Sequence, residues 1–373
     1  MKVFLTWCLA LFAVSAAAGG STQCPCRPET MWLDLIFVVE STDAVSKDGI
    51  EQIENFVKTA LLQTRISQDH LRVGAIAYSG EITVAANLTG FTSTAHLLDS
   101  FSLPFQGSST NDAESALRKA TEMFQQDHRP NVRKVAVLIA ASLNTIESMP
   151  IEIGNDFRED GGVLIAIEFV STHGAAVPAI HQLASSGYVL STKSESLHVV
   201  DLVGALCDAN CYCAPGHFPL SNNTRKTPDL GCFLPASVPI DRDSADKACS
   251  AAHPGAHLAV VKDDMTNELL FKSNNWEGAS LWLGGRYSNG MVHWDREGTS
   301  SAAVSTYSHP LLMSTLKGDC IYAKQVGSKI NWYVSSCQTP QMFVCQSTPY
   351  STANRATMHP HAVYKKLDQR YKD

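Results

Sequence analysis

Cysteine placement constrains this chain more than any other feature of its sequence. There are eleven cysteines; Cys8 lies in an N-terminal apolar run, and the other ten are Cys24, Cys26, Cys207, Cys211, Cys213, Cys232, Cys249, Cys320, Cys337 and Cys345. None falls between residues 27 and 206, whereas eight fall between 207 and 345. A long cysteine-free stretch is therefore bracketed by Cys24/Cys26 and Cys207/Cys211, and a shorter thiol-dense stretch follows. At 373 residues the chain has room for two or three domains. Zinc is one use for such cysteines, but the Cys-x-Cys pairs lack a second ligand pair at zinc spacing and no histidine cluster accompanies them. An even count in an exported chain points instead to five disulfides.

Export is the reading of the N-terminus, MKVFLTWCLALFAVSAAAGG. Lys2 precedes the apolar run Val3–Val14, and the small residues Ser15–Gly20 offer cleavage after Ala18. That order marks residues 1–18 as a signal peptide. The run falls short of the ~20 residues a membrane span needs. No later segment reaches that length, so a secreted, extracellular protein is expected. The net charge of -7 and the lack of any Lys/Arg cluster argue against a nucleic-acid partner. An apolar content of 45% is enough for ordinary cores. Asn87-Leu88-Thr89 and Asn222-Asn223-Thr224 are candidate glycosylation sites.

In the cysteine-free stretch, short apolar runs alternate with amphipathic ones. Leu35–Val39, Leu71–Ala77, Lys134–Ala140 and Val163–Phe169 read as strands covered on both faces. Helical spacing marks Lys47–Gln63, with Ile50, Ile53, Phe56, Val57, Ala60 and Leu61 on one stripe, and Asn111–Phe124, with Ala113, Ala116, Leu117 and Ala120. A third, shorter helix is expected over Pro178–Ala184, where Pro178 suits a first helical position. Such alternation implies a mainly parallel sheet between helices. The fragments "DLIFVVEST", "LRVGAIAYSG", "GSSTNDAESALRKA", "RKVAVLIAAS" and "GVLIAIEFV" follow the order and spacing of a von Willebrand factor type A domain. This resemblance covers residues 31–206 and implies a doubly wound, Rossmann-like α/β domain. An N-terminal Cys-x-Cys segment at 19–30 precedes it.

Domains of that family carry a metal-ion-dependent adhesion site at the carboxyl edge of the sheet. Its first loop supplies Asp-x-Ser-x-Ser. Here the matching residues are Glu40-Ser41-Thr42-Asp43-Ala44. Thr42 keeps a hydroxyl, Glu40 is one methylene longer, and Ala44 has no ligand atom. Thr110 matches the family's threonine, and Ala141 stands where an aspartate is needed. Magnesium demands near-octahedral oxygen ligation at about 2.0–2.1 Å. Two neutral hydroxyls do not offset its dehydration, and nothing in the sequence aims Asp43 or Asp112 at the site. No metal is expected there. In that case Thr42 and Thr110 are loop and helix-cap hydroxyls.

The thiol-dense stretch resembles a C-type lectin-like domain over residues 213–346, an α+β, disulfide-rich fold. The resemblance is carried by Cys232-Phe233, the helical segment Asp243–Ala252 with Cys249, "GAHLAVVKDDMTNELL", "LWLGGRYSNGMVHW", "GDCIYA", "INWYVSSC" and "FVC". It implies bridges Cys249–Cys345 and Cys320–Cys337, with Cys213–Cys232 closing an extra hairpin. Cys24 and Cys26 are then left for Cys207 and Cys211 across a linker at 207–212, with the pairing open. Trp282, Trp294 and Trp332 match core positions rather than sugar platforms. Calcium-dependent members use carboxylates and amides at five positions. These are His309, Leu311, Gly318, Tyr333 and Val334 here, none of which has either group. Calcium needs 6–8 oxygens, so no calcium-bridged sugar is expected. Asp263 and Asp264 suit a helix start better than an ion. Residues 347–373 read as a polar tail, with His359 and His361 in solvent.

No catalytic motif is present: no Gly-x-Ser-x-Gly elbow, no His-Glu-x-x-His and no phosphate loop. The chain is therefore expected to be a non-enzyme without cofactor. The resemblance to secreted nematode C-type lectin proteins implies extracellular recognition, discussed for that group in connection with innate defence. Two readings follow. The first is calcium-free binding of a glycan or microbial surface through the loop 300–316, with Tyr307, His309 and Met313 as contacts. The second is protein binding in a matrix or adhesion setting through the metal-free edge at Thr42, Thr110 and Ser142.

Overall fold

The computed structural model describes residues 23–144, 150–171, 175–193, 197–272, 276, 278–294, 303–304, 309–313 and 317–354. Residues 1–22 and 355–373, with His359 and His361, lie outside them. The first unit contains β1 (Leu33–Glu40), α1 (Lys47–Leu61), β2 (Arg72–Tyr78), β3 (Ile82–Ala86), α2 (Thr94–Ser100), α3 (Ala113–Gln126), β4 (Arg133–Ala140), α4 (Pro150–Glu159), β5 (Val163–Glu168), β6 (Val189–Ser191) and α5 (Val199–Ala209). Its sheet runs β3-β2-β1-β4-β5-β6. All neighbours are parallel except the β2–β3 pair.

Two-residue periodicity explains why β1 sits at the centre. Leu33, Leu35, Phe37 and Val39 enter one core, with Ile50, Ile53 and Val57 of α1 and Leu202 and Leu206 of α5. Ile36 and Val38 enter the opposite core, with Ala116, Leu117 and Ala120 of α3 and Phe157 of α4. Both helix starts expected from sequence are capped by side chains: Ser46 accepts from Gly49 N at 3.2 Å and Asp112 from Ser115 N at 3.0 Å.

The structure departs from the sequence reading at several elements. Pro178–Leu183 is a 3-10 helix, not an α-helix. The helix α5 extends through Cys207 to Ala209, so the first half of the expected 207–212 linker is its last turn. β3 and β6 are short edge strands, and α5 is apolar on much of its surface. None of the three shows a clean period in the sequence.

The second unit contains β7 (Phe218–Pro219), β8 (Cys232–Ile240), α6 (Arg242–Ala252), β9 (His257–Leu258), α7 (Asp264–Lys272), β10 (Ser280–Ser288), β11 (Met291–Trp294), β12 (Ala303–Val304), β13 (Leu311–Met313), β14 (Cys320–Val326), β15 (Lys329–Ser335) and β16 (Gln341–Ser347). Its main sheet path is β13-β15-β14-β10-β16-β8-β7. Trp294 and Trp332 lie at the centre of one core and Trp282 in another, beside Cys249, Cys320 and Cys345. Asp263 caps α7 by accepting from Thr266 N at 2.6 Å, and Asp264 opens that helix.

Five disulfides are formed. Cys24–Cys211 and Cys26–Cys207 join the ends of the first unit, and this nested pairing is what the sequence leaves open. Cys213–Cys232, Cys249–Cys345 and Cys320–Cys337 lie within the second unit.

The two units meet along a seam that the sequence does not announce. Tyr212 and Tyr350 pair in antiparallel fashion, with N–H to O distances of 3.0 and 2.9 Å. Trp32 packs with Ala214 and Tyr350, and its indole N–H donates to Ser351 O at 3.2 Å. Arg27 N donates to the Thr352 hydroxyl at 3.1 Å. Residues 347–354, placed by sequence with the polar tail, are thus part of the seam; Ser351 and Thr352 are buried. Their small polar side chains give no apolar signal because backbone pairing and hydrogen bonds hold them.

Candidate functional site

In open α/β sheets the ligand edge lies at the carboxyl ends of strands where strand order reverses. Here that point lies between β1 and β4. Glu40 ends β1 and is fully buried. Its Oε2 accepts from Ala141 N at 2.7 Å and Ser142 N at 2.9 Å. Its Oε1 accepts from the Thr42 hydroxyl at 2.6 Å and from the Ser142 hydroxyl. Four donors from two loops therefore converge on one carboxylate. Buried charge is tolerable only with this kind of satisfaction.

The surroundings extend the cluster. Asn111 Nδ2 donates to Ser142 Oγ at 2.8 Å. The Ser41 hydroxyl donates to Pro104 O at 2.7 Å and accepts from Gln106 N at 2.9 Å, fastening the second loop. Below lies the Tyr78 phenol, whose pKa is raised first by burial and then by the charge of Glu40, so it stays neutral.

The other expected positions are placed as follows. Thr42 is buried, and besides bonding Glu40 it accepts from Ala44 N at 3.2 Å. Ala44, Asp43 and Thr110 are exposed, and Asp112 is committed to capping α3. The residues present do not fit a divalent cation. The carboxylate is saturated by protein donors, two of them backbone N–H groups that no ion can replace. Ala44 and Ala141 have no ligand atom. Sequence reasoning named Glu40 and Ser142 but not their bond, because a glutamate one methylene too long reads as a lost ligand rather than as a group reaching across to another loop.

The second unit treats its ion positions differently. Val334 is buried, and Tyr333 stacks on Tyr322 with ring centroids 5.0 Å apart. The His309 ring packs on Trp332 at 4.8 Å, and its Nε2 lies 3.1 Å from Ile330 O. Leu311 pairs with Trp332 through the β13–β15 ladder. At Gly318 any Cβ would fall 2.3 Å from Ser335 O and 2.5 Å from Ser336 Cα, so this backbone has no space for a side chain. Asp319 lies near Cys320 and Cys337, but those sulfurs are bonded to each other and the aspartate faces Arg286. Of the proposed contacts, Met313 is 69% exposed, His309 is packed, and Tyr307 lies outside the described residues. Trp282, Trp294 and Trp332 are buried. Asn87 and Asn222 are exposed, as a glycan acceptor must be.

The geometry is that of two binding modules in tandem: a doubly wound α/β unit with a loop-built edge, and a disulfide-stapled α+β unit with a short apolar strand at its long-loop end. Residues 34–202 match the von Willebrand factor type A domain family and residues 240–347 match the Lectin C-type domain family. The chain is a von Willebrand factor type A domain followed by a C-type lectin domain. It is 26% identical over 348 residues to C-type lectin domain-containing protein 160 of Caenorhabditis elegans, covering 86% of this chain and 53% of that protein. The chain thus spans about half the length of that relative. It is 29% identical over 110 residues to von Willebrand factor A domain-containing protein 2 of Xenopus laevis, covering 29% of this chain and 14% of that protein. Among solved structures it is similar to proximal thread matrix protein 1 from the mussel byssus, at 18% identity and a TM-score of 0.43 over 48% of each chain. Among the described residues no helix is long and apolar enough to cross a membrane.

Proposed function

We propose that this chain is a secreted, non-enzymatic recognition protein acting in innate defence. Its lectin domain binds a glycan or a microbial or cell-surface ligand without bridging calcium. The observation that carries this reading is the long-loop end of the lectin domain. Its ion positions are given over to packing, with Gly318 sterically closed, while the adjacent β13 exposes Leu312 and Met313. An exposed apolar pair on a strand held by Trp332 is a rigid contact surface of the kind recognition sites use. His309 shapes this surface by stacking on Trp332. A glycan array probed with the secreted protein in calcium and in EDTA tests the reading. Equal signals in both are expected, with those of neutral glycans lost in Met313→Asp. Signals that vanish in EDTA would overturn it, as would an array with no signal at all.

A second reading rests on a different observation. Phe105 is 39% exposed on the loop fastened by Ser41, with its ring and the Asp43 carboxylate both near Gly107. An aromatic rimmed by polar groups suits a protein partner in an adhesion or matrix setting. Capture of extracellular-matrix proteins that is lost in Phe105→Ala, with the glycan signal intact, is the expected outcome for this reading.

A further inference from the structure

The seam between the domains contains a cleft of about 370 Å³ whose residues neither recognition surface uses. It lies at the amino-terminal edge of the first sheet, opposite the sealed carboxylate. Its size falls within the roughly 300–1,000 Å³ range of small-ligand sites.

Three arginines gather at this edge. Arg72 and Arg129 share Asp34, with Nε to Oδ1 distances of 2.8 and 2.9 Å. Arg133, which opens β4, has no carboxylate partner among the described residues. Its guanidinium lies 5.1 Å over the Tyr212 ring, and its pKa is lowered by burial. Arg133 is half-buried; a guanidinium stays charged in proteins, and one partly withdrawn from water without an anion is incompletely compensated. The cation–π contact offsets only part of that cost.

The rest of the cleft is complementary. Lys226 lines it and makes no ion pair among the described residues, and no carboxylate stands in the wall. His217 also lines it. The buried Nε2 has no hydrogen-bond partner among the described residues, while Nδ1 faces Pro215 O at 3.4 Å. With Nδ1–H directed at that carbonyl, Nε2 is an acceptor suited to a hydroxyl donor. Asn131 and Lys226 both hold positive φ, 59° and 51°, a conformation uncommon for lysine. Tyr212 sits between Cys211 and Cys213, each in a disulfide, and pairs with Tyr350, so the walls are held before any ligand arrives.

We propose that this cleft is a binding site for an acidic saccharide, with a carboxylate or sulfate held by Arg133 and Lys226 and a ring hydroxyl donated to His217 Nε2. The proposal deepens the recognition reading by naming a ligand class and a second place for it. The two fail separately: the array with Met313→Asp tests the lectin loop, and the following titration tests the cleft.

The full secreted protein is titrated calorimetrically with glucuronate, glucose 6-sulfate, glucose and inorganic sulfate. Saturable binding of both acidic sugars is expected, with none for glucose and weaker binding for sulfate. Arg133→Gln should weaken glucuronate by roughly tenfold or more, as for loss of a charged hydrogen bond. Lys226→Ala carries the same test at an exposed position should the arginine variant fail to fold, with an expected loss of roughly threefold. His217→Phe should weaken glucuronate and leave sulfate unchanged. Equal binding of glucose and glucuronate would overturn the proposal, as would no binding of either acid or affinities unchanged in Lys226→Ala. Sulfate binding as tight as that of the sulfated sugar would overturn its saccharide part.

Discussion

At the carboxyl edge of the first domain, a charged glutamate is drawn inside and saturated by four donors. At the long-loop end of the second, the comparable positions hold a packed histidine, a buried valine and a glycine without room for a side chain. The two edges are closed by opposite means. The first stays polar, with its donors arranged around a single anion. The second has become apolar, and its backbone has settled where ligands would need space. The first closure is therefore chemically reversible and the second is not. One rests on which group satisfies a set of hydrogen bonds, the other on packed volume.

The largest expected effect comes from emptying the polar closure. Glu40→Ala leaves two backbone N–H groups and two hydroxyls facing a cavity, and should cost about 3–4 kcal/mol in denaturant unfolding of the first domain. Glu40→Gln should cost less, because its amide oxygen still accepts from one pair of donors. A loss below ~1 kcal/mol for the alanine variant would mean that water replaces the carboxylate, and the contrast between the two edges would collapse.

Next comes the steric closure. Gly318→Ala forces its Cβ against Ser335 O and should cost about 2–3 kcal/mol, read from the melting of the second domain. Trp332→Phe is milder: it removes the indole donor to Asn267, 3.1 Å away, and should cost about 1–2 kcal/mol. Reversibility itself is tested by Glu40→Asp combined with Ala44→Ser and Ala141→Asp, which should create magnesium binding detectable by calorimetry. The wild-type melting temperature should stay within about 1 °C on adding magnesium, calcium or EDTA, because an ion that binds neither edge shifts no equilibrium.

The smallest effect concerns Glu168, which ends β5 on the same edge as Glu40. Burial raises its pKa, but the Ser191 hydroxyl, Val177 N–H and His181 together outweigh that and hold it below its ordinary 4.5. A depressed carboxylate stabilises the fold fully above its unfolded value, and that contribution is lost as pH falls through the folded one. Wild-type melting should therefore drop on acidification from 4.5 downward, and Glu168→Gln should flatten that drop. An unchanged slope would show that other acids set the acid limit.

Much of the fold was legible because its signals are local. The four central strands are short apolar runs, and the helices α1 and α3 have one-sided stripes; the cap of α3 is Asp112 rather than the Thr110 hydroxyl expected from sequence. The edge strands β3 and β6 were not legible, since three to five half-buried residues show no period. Residues 347–354 were read as tail because serine and threonine leave no apolar trace, although they are buried by pairing with distant backbone. Of the metal edge, the missing ligands at Ala44 and Ala141 were readable residue by residue. The destination of Glu40 was not, because three of its four donors come from Ala141 and Ser142, about a hundred residues further along the chain.

The sequence alone determined the two-part architecture, through where cysteines occur and where they do not, and it determined which ion-ligand atoms are absent, because a side chain without oxygen cannot acquire one by folding. Tertiary structure decided what took their place. It paired Cys24 with Cys211 and Cys26 with Cys207, turned Glu40 into an internal anion, and set Arg133 in a cleft between the domains, without a carboxylate partner among the described residues. Composition and periodicity report the energetics of neighbours in sequence. Hydrogen-bond saturation, steric room and charge pairing depend on groups that only the folded chain brings within a few ångströms.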